Sequence, residues 1–297
     1  MKRRNWFTNA EWAGHPSRRA LATAALMGAA LCAFSSPAFG FCQARTCDRA
    51  TETCAEDQNG CVITGELLAW SRSEVTVSID PGGSARLGIT AEQTAQVLAR
   101  AFDNWQKVAC ASGQSPGLSL RVADSTAGGM NEADAIVTYV DSGWRYPRSY
   151  GAITQLTVDL DTGAITRALV EINSETHALA IDAQAQEIDL EAVLTHEVGH
   201  LIGLDHSRVA GSTMVAETRA FGTTDLRSLD ADDVAGVCAL YPFRAPKPKS
   251  SDSDSSCAAS AKSPHSASTA TFAYCLLGAA MLRAVRRRAR ARAASAR

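Results

Sequence analysis

The chain has 297 residues, 46% of them hydrophobic and 20% charged, with a formal net charge of −2. That composition is ordinary for a globular protein, and the length suits one or two domains. The small total hides an asymmetry. Residues 41–244 carry 14 basic and 28 acidic side chains, whereas residues 1–40 carry five basic and one acidic, and residues 245–297 ten basic and two acidic. An acidic body excludes a nucleic-acid partner, whose phosphates need Lys and Arg. The basic ends instead flank apolar runs, a pattern of membrane targeting.

At the N-terminus, Arg18 and Arg19 precede ALATAALMGAALCAF at 20–34, followed by SSPAFG with Ala38 and Gly40 at the −3 and −1 positions of a cut. This has the form of a signal peptide over 1–40 and is shorter than the roughly 20 residues of a spanning helix. The mature chain is expected to start near Phe41. The Ser17–Leu21 stretch is faintly similar to a twin-arginine signal, so the export route stays open.

Nine cysteines are present, with Cys32 in the leader and Cys257 and Cys275 near the C-terminus. Six remain in the body: Cys42, Cys47, Cys54, Cys61, Cys110 and Cys238. An even number in an exported protein reads as disulfides. Four of them crowd into a Cys-rich segment, 41–64, too small and polar to hold itself by a core. A zinc knuckle is the rival reading of that cluster, but the close Cys pairs of such knuckles are missing. Connectivity is not legible; Cys110–Cys238 is the remainder if the first four pair among themselves.

Residues 74–80 alternate, with Val75, Val77 and Ile79 on one face of a half-buried strand ended by Pro81-Gly82-Gly83. Thr90 and Gln93 form a capping box, and Ala91, Ala95, Leu98, Phe102 and Trp105 follow at helical spacing. Residues 118–122, 135–140, 153–158 and 168–172 read as further strands, the last two joined around Asp161-Thr162-Gly163, which has turn chemistry. Helices are expected over about 189–202 and 230–241, the second with Val234, Val237, Cys238 and Tyr241 on one stripe. Interleaved strands and helices predict an α/β (α+β) domain with a sheet of about five strands.

Residues 244–268 are Ser-, Pro- and Lys-rich and read as a linker. Over 269–297, a short apolar run (270–282) is followed by seven arginines. The run is short for a span of about 20 residues. The basic block after it nevertheless fits a membrane or cell-envelope anchor with its charged end kept inside.

The densest chemistry lies at 194–207, LTHEVGHLIGLDHS, which holds three of the six histidines. Residues i and i+4 share a helix face, so His196 and His200 can aim two imidazoles at one point. A catalytic zinc takes three protein ligands and keeps one position open. The third ligand must therefore come from outside the helix. Gly203 allows the helix to end in a left-handed turn, and His206 then arrives from the side. Glu197 is offset around the helix and can reach a water on the metal without ligating. Zinc lowers that water's pKa from 15.7 towards about 7, and the carboxylate can take the proton as the water attacks a carbonyl.

This stretch, HExxHxxGxxH continued as GLDHS, resembles the metzincin metallopeptidases, and among them the matrixins, the matrix-metalloproteinase-like enzymes. Gly211-Ser212-Thr213-Met214 is similar to their methionine turn, residues 232–241 to their last helix, and 163–173 to their sheet segment before the active-site helix. The resemblance covers about 65–243. It implies a twisted, mostly parallel five-stranded sheet, an active-site helix and a C-terminal helix. It implies one catalytic zinc on His196, His200 and His206, Glu197 as general base, and Met214 beneath the metal. It implies an antiparallel edge strand that binds extended peptide; residues 151–157 are the candidate, with Gly151, Ala152 and Ile153 as substrate-binding positions.

The sequence departs from the family in having Ala216 where proline usually follows the turn methionine, and no PRCGxPD-like cysteine switch is present. His177 is the only other histidine of the body, so the structural zinc of many matrixins is not expected. Calcium is a candidate second ion through acids such as Asp159 and Asp161. The tail, with Ser255-Ser256-Cys257, resembles the C-terminal sorting signals of myxobacterial surface proteins. The expected protein is thus an exported zinc endopeptidase, extracellular or on the outer envelope of a bacterium. It is monomeric and acts on peptide or protein substrates. The alternative is a surface-anchored binding module without turnover, which would have no need of Glu197.

Overall fold

The alternating residues 74–79 do form a strand, and it lies inside a sheet of seven. The computed structural model describes the backbone of residues 3–11 and the whole of 40–123, 133–216 and 223–242. Most of the expected leader, the linker from 244 with Cys257, and the 269–297 tail lie outside the described residues. The chain divides into residues 1–246 and 247–297, and every strand and helix described belongs to the first unit.

In chain order the described strands are β1 (Arg3–Glu11), β2 (Cys42–Gln43), β3 (Ala69–Trp70), β4 (Glu74–Ile79), β5 (Ser119–Val122), β6 (Ala135–Tyr139), β7 (Tyr150–Asp159), β8 (Ala164–Ile172), β9 (Leu179–Ala180), β10 (Ile188–Asp189) and β11 (Leu204–Asp205). The helices are α1 (Ala91–Gln106), α2 (Leu190–Leu201) and α3 (Ala231–Leu240). The main sheet runs β1-β7-β8-β6-β4-β5, with β3 also paired to β8. Its β4–β5, β4–β6, β6–β8 and β3–β8 pairs are parallel, and β7 is antiparallel to both β8 and β1. The expected five strands are all present. Two more join them: the short β3, and β1, whose residues fall within the expected leader. Pairing completes strands that local alternation left short, so β7 begins at Tyr150 and β8 at Ala164.

The β7–β8 turn is built by Asp159, whose Oδ1 accepts from Asp161 N at 3.0 Å and Thr162 N at 3.1 Å. Gly163 closes it with φ of 71°. Asp159 thus commits a carboxylate oxygen to its own turn. Among the described residues, no cluster of three or more acidic, His or Cys side chains gathers around it.

Thr90 and Gln93 cap α1 reciprocally, as the sequence indicated. Its buried face is Thr94, Val97, Leu98, Ala101, Phe102 and Trp105. The expected Ala91 and Ala95 lie at the margin of that face, because the helix turns Val97 and Ala101 toward α2 and the sheet. In α3 the expected stripe is also rotated: Val237 and Tyr241 are buried, Val234 and Cys238 only partly. Two aspartates and Gly236 take the remaining buried positions, since those acids serve backbone amides of neighbouring segments.

Three disulfides form: Cys42–Cys61, Cys47–Cys54 and Cys110–Cys238. The first two make the Cys-rich segment a folded lobe, and its β2 pairs with β11. The Gly40 and Phe41 amides donate to the buried Asp232 carboxylate at 2.6 and 3.0 Å.

Candidate active site

The helix α2 is buried along its entire length, its polar side chains Glu191, Thr195, His196, Glu197 and His200 included. Asp189 caps it by accepting from Ala192 N at 2.8 Å. Arg227 holds that buried carboxylate with two bonds, of 2.9 and 2.6 Å, a bidentate pair of high directional fidelity. At the other end, the Leu201 and Ile202 carbonyls accept from Trp70 Nε1 at 2.9 Å and Tyr241 Oη at 2.7 Å. Carbonyls that a helix end leaves unpaired inside a core need such donors.

Gly203 then turns the chain at φ 100°, a conformation that a side chain resists. A Cβ there would also overlap the Leu68 carbonyl. The chain returns through β11, and His206 meets the helix histidines. Their ligand nitrogens all lie within 4.8 Å of one another, with His200 Nε2 and His206 Nε2 3.2 Å apart. Three nitrogens each about 2.0–2.1 Å from one zinc would be spaced by roughly 3.3 Å. His196 Nδ1 lies 2.6 Å from the Thr213 carbonyl and His200 Nδ1 2.9 Å from that of Leu204. A carbonyl at Nδ1 fixes the tautomer and leaves Nε2 for a metal.

Burial pushes His196 down to about 3, aided by the nearby His206, and lowers His200 and His206 for the same first reason. Imidazoles kept neutral are in the form that ligates. Glu197 is fully buried, and burial pushes its carboxyl up to about 8, opposed by a hydrogen bond from Thr154. Its Oε2 accepts from Thr154 Oγ1 at 2.6 Å, while its Oε1 is buried without a hydrogen-bond partner. A buried carboxylate oxygen left unpaired beside three convergent imidazoles fits a site built to hold a metal ion and a reacting molecule.

Met214 is 2% exposed and lies directly under α2. A Cβ on Gly199, between the two helix histidines, would overlap its sulfur. The turn that carries Met214 is organised by Asp233. That carboxylate accepts from Thr213 N at 2.8 Å, Met214 N at 3.2 Å and the Ser212 hydroxyl. It therefore sets the Thr213 carbonyl that orients His196. Asp232 does the parallel service on the other side, accepting from Ser207 Oγ at 2.6 Å.

Every residue expected at the metal centre is therefore brought together: His196, Glu197, His200, His206 and Met214. Gly151, Ala152 and Ile153 lie on β7 beside Thr154. In the full chain β1 lies outside them, with Ala10 opposite Ala152 and Asn9 opposite Ile153. Sequence reading missed Thr154, Thr213, Asp232 and Asp233 as parts of the site. The adjacent acids at the start of α3 were the one available signal, because two carboxylates in a first turn exceed what the cap requires. A cavity of about 300 Å³ opens beside His206, walled by Cys42, Arg49 and Asn59 of the Cys-rich lobe and by Asp205 and Arg208.

A mixed sheet with an antiparallel outer strand, a buried HExxH helix and a third histidine returning over a methionine turn together define a metzincin-type fold. Within that class the chain belongs to the matrixin family, whose model matches residues 69–242. It is 30% identical over 182 residues to metalloendoproteinase 1-MMP of Arabidopsis thaliana, covering 58% of this chain and 44% of that one. It is 38% identical over 79 residues to matrix metalloproteinase-19 of Mus musculus, 27% of this chain and 15% of the other. It is 46% identical over 56 residues to metalloendoproteinase 2-MMP of Arabidopsis thaliana, 18% and 14% of the two. The chain thus spans less than half the length of these relatives.

Proposed function

We propose that the protein is an exported zinc-dependent endopeptidase. The observation that carries this is the convergence of three imidazoles beside the buried Glu197 carboxyl, one oxygen of which has no hydrogen-bond partner. His196, His200 and His206 would hold one zinc. When bound, the ion supplies Lewis acidity, polarising a peptide carbonyl and making a water a better nucleophile near neutral pH. The chain's own part is proton handling and positioning. Glu197 accepts a proton at Oε1 as water attacks and returns it to the leaving amine. Its Oε2 stays held by Thr154. Met214 packs beneath the helix and keeps the two helix imidazoles level.

Of Gly151, Ala152 and Ile153, Ala152 would bind extended substrate through its backbone, because the backbone groups of Gly151 and Ile153 alternate toward β8. The Gly151 carbonyl accepts from Asn173 N at 2.8 Å, on the β8 side. By the alternation of a strand, the N–H and C=O of Ala152 face outward. The leader-like N-terminus and three disulfides support export, and the Arg-rich tail supports attachment to a cell envelope. Among the described residues, no helix is long and apolar enough to cross a membrane.

The test uses the full chain with disulfides formed, beside Glu197→Ala. Bound zinc is counted, and cleavage of an unbiased peptide library is followed with and without chelator. One zinc in both proteins and chelator-sensitive cleavage only in the parent is the expected result. Zinc without cleavage in the parent would favour a binding module, and no zinc would refute the site.

A further inference from the structure

We propose that Thr154 is a positioning residue for Glu197, holding its carboxylate for proton transfer; this rests on the peptidase reading above. On β7 the residues sharing the face toward α2 are Ala152, Thr154, Leu156 and Val158, all 0% exposed. Three of the four are aliphatic, and valine would fill the fourth place with the same shape. A hydroxyl on such a face costs stability unless it finds a partner. Thr154 Oγ1 is 2.6 Å from Glu197 Oε2 and 3.4 Å from the Glu197 carbonyl oxygen. The shorter contact takes the proton, because a hydroxyl has only one and a carboxylate is the stronger acceptor.

The consequence is asymmetric. One oxygen of Glu197 is engaged 43 residues away in sequence on a strand of the main sheet. The other has no hydrogen-bond partner. A side chain fixed at one oxygen presents the second in a single orientation, and reacting groups need such preorganisation. A glutamate free to rotate would be turned away from the reacting water for part of the time. The strand placed to carry substrate backbone thus also orients the base.

The test compares Thr154→Val, which keeps the shape and loses the hydroxyl, with Thr154→Ser, which keeps the hydroxyl. Both are made in the full, disulfide-bonded chain loaded with zinc. For Thr154→Val the expected result is a kcat lower by about 10- to 100-fold, with KM and bound zinc unchanged. Thr154→Ser should stay within about threefold of the parent. A double-mutant cycle of Thr154→Val with Glu197→Ala, read in thermal unfolding, measures the bond without turnover. A coupling of roughly fivefold or more in the unfolding constant is expected. Parental kcat in Thr154→Val, equal losses in Val and Ser, or no coupling in the cycle would each overturn the proposal. A parent that cleaves nothing would fail the peptidase reading itself, and the proposal for turnover would fall with it. The cycle would still report whether the bond exists.

Discussion

Gly199 shows how little room the candidate metal site leaves. A Cβ there would overlap the Met214 sulfur and press on Trp105, so Gly199→Ala forces the methionine turn away from α2. Overpacking of this kind costs about 1–3 kcal/mol. Chemical unfolding should report that loss, with zinc affinity falling in step; an unchanged midpoint would mean that the turn yields freely. The three histidines dominate the response to acid, opposed by Glu197, which burial holds near 8 so that the folded chain takes its proton first. Burial holds His196 near 3 and His200 well below the usual 6.5. The unfolded chain takes up protons as pH falls through 6.5, and the folded, metal-free chain refuses them. Protons then favour the unfolded state, so stability present above pH 6.5 is lost as pH drops below it. Chelator-treated protein should lose Tm between about pH 7 and about pH 5, and His200→Ala should flatten that slope. Equal slopes would show that His200 is not buried neutral.

Among the elements, β7 has two claims on its outer side. Nine residues of β1 pair along it, from Arg3 opposite Asp159 to Glu11 opposite Tyr150. An extended substrate would need the same backbone groups. A chain starting at Phe41 should therefore bind peptide more tightly than the full chain, with KM lower by roughly an order of magnitude and zinc content equal. Identical KM values would show that β1 leaves the edge readily. In that shorter chain, Ala152→Pro removes one outward N–H and none from the β8 ladder, which an edge strand tolerates. KM should rise by about 10-fold, a loss of roughly 1.4 kcal/mol, with kcat little changed. Unchanged kinetics would refute a backbone role for Ala152. The Cys-rich lobe adds a wall that neither the sheet nor α2 supplies, since β2 zips onto β11 just before His206.

At the scale of the molecule, the Cys110–Cys238 bridge spans 128 residues and ties the loop after α1 to α3. Replacing both cysteines with serine should cost about 3–5 kcal/mol by the chain-entropy account. It should also loosen the Asp233-bound turn, so urea unfolding and zinc affinity should fall together. What was legible beforehand came from local rules. The i, i+4 spacing placed two imidazoles on one face, Gly203 permitted the reversal, and alternation marked five strands of the sheet. Six body cysteines implied pairing but not partners. Tertiary structure alone decided the rest, because it depends on which distant segments pack together. A threonine in β7 reads as an ordinary strand residue until α2 is laid across it. The aspartates of α3 read as helix caps until the methionine turn folds onto them. The outermost strand of the sheet depends on register between segments some 150 residues apart. Sequence by itself placed the three imidazoles and the glutamate of the proposed site, since one short helix and its turn contain them all. Only the fold decided what orients them, since a buried polar group takes its partner from whatever segment packing brings within reach.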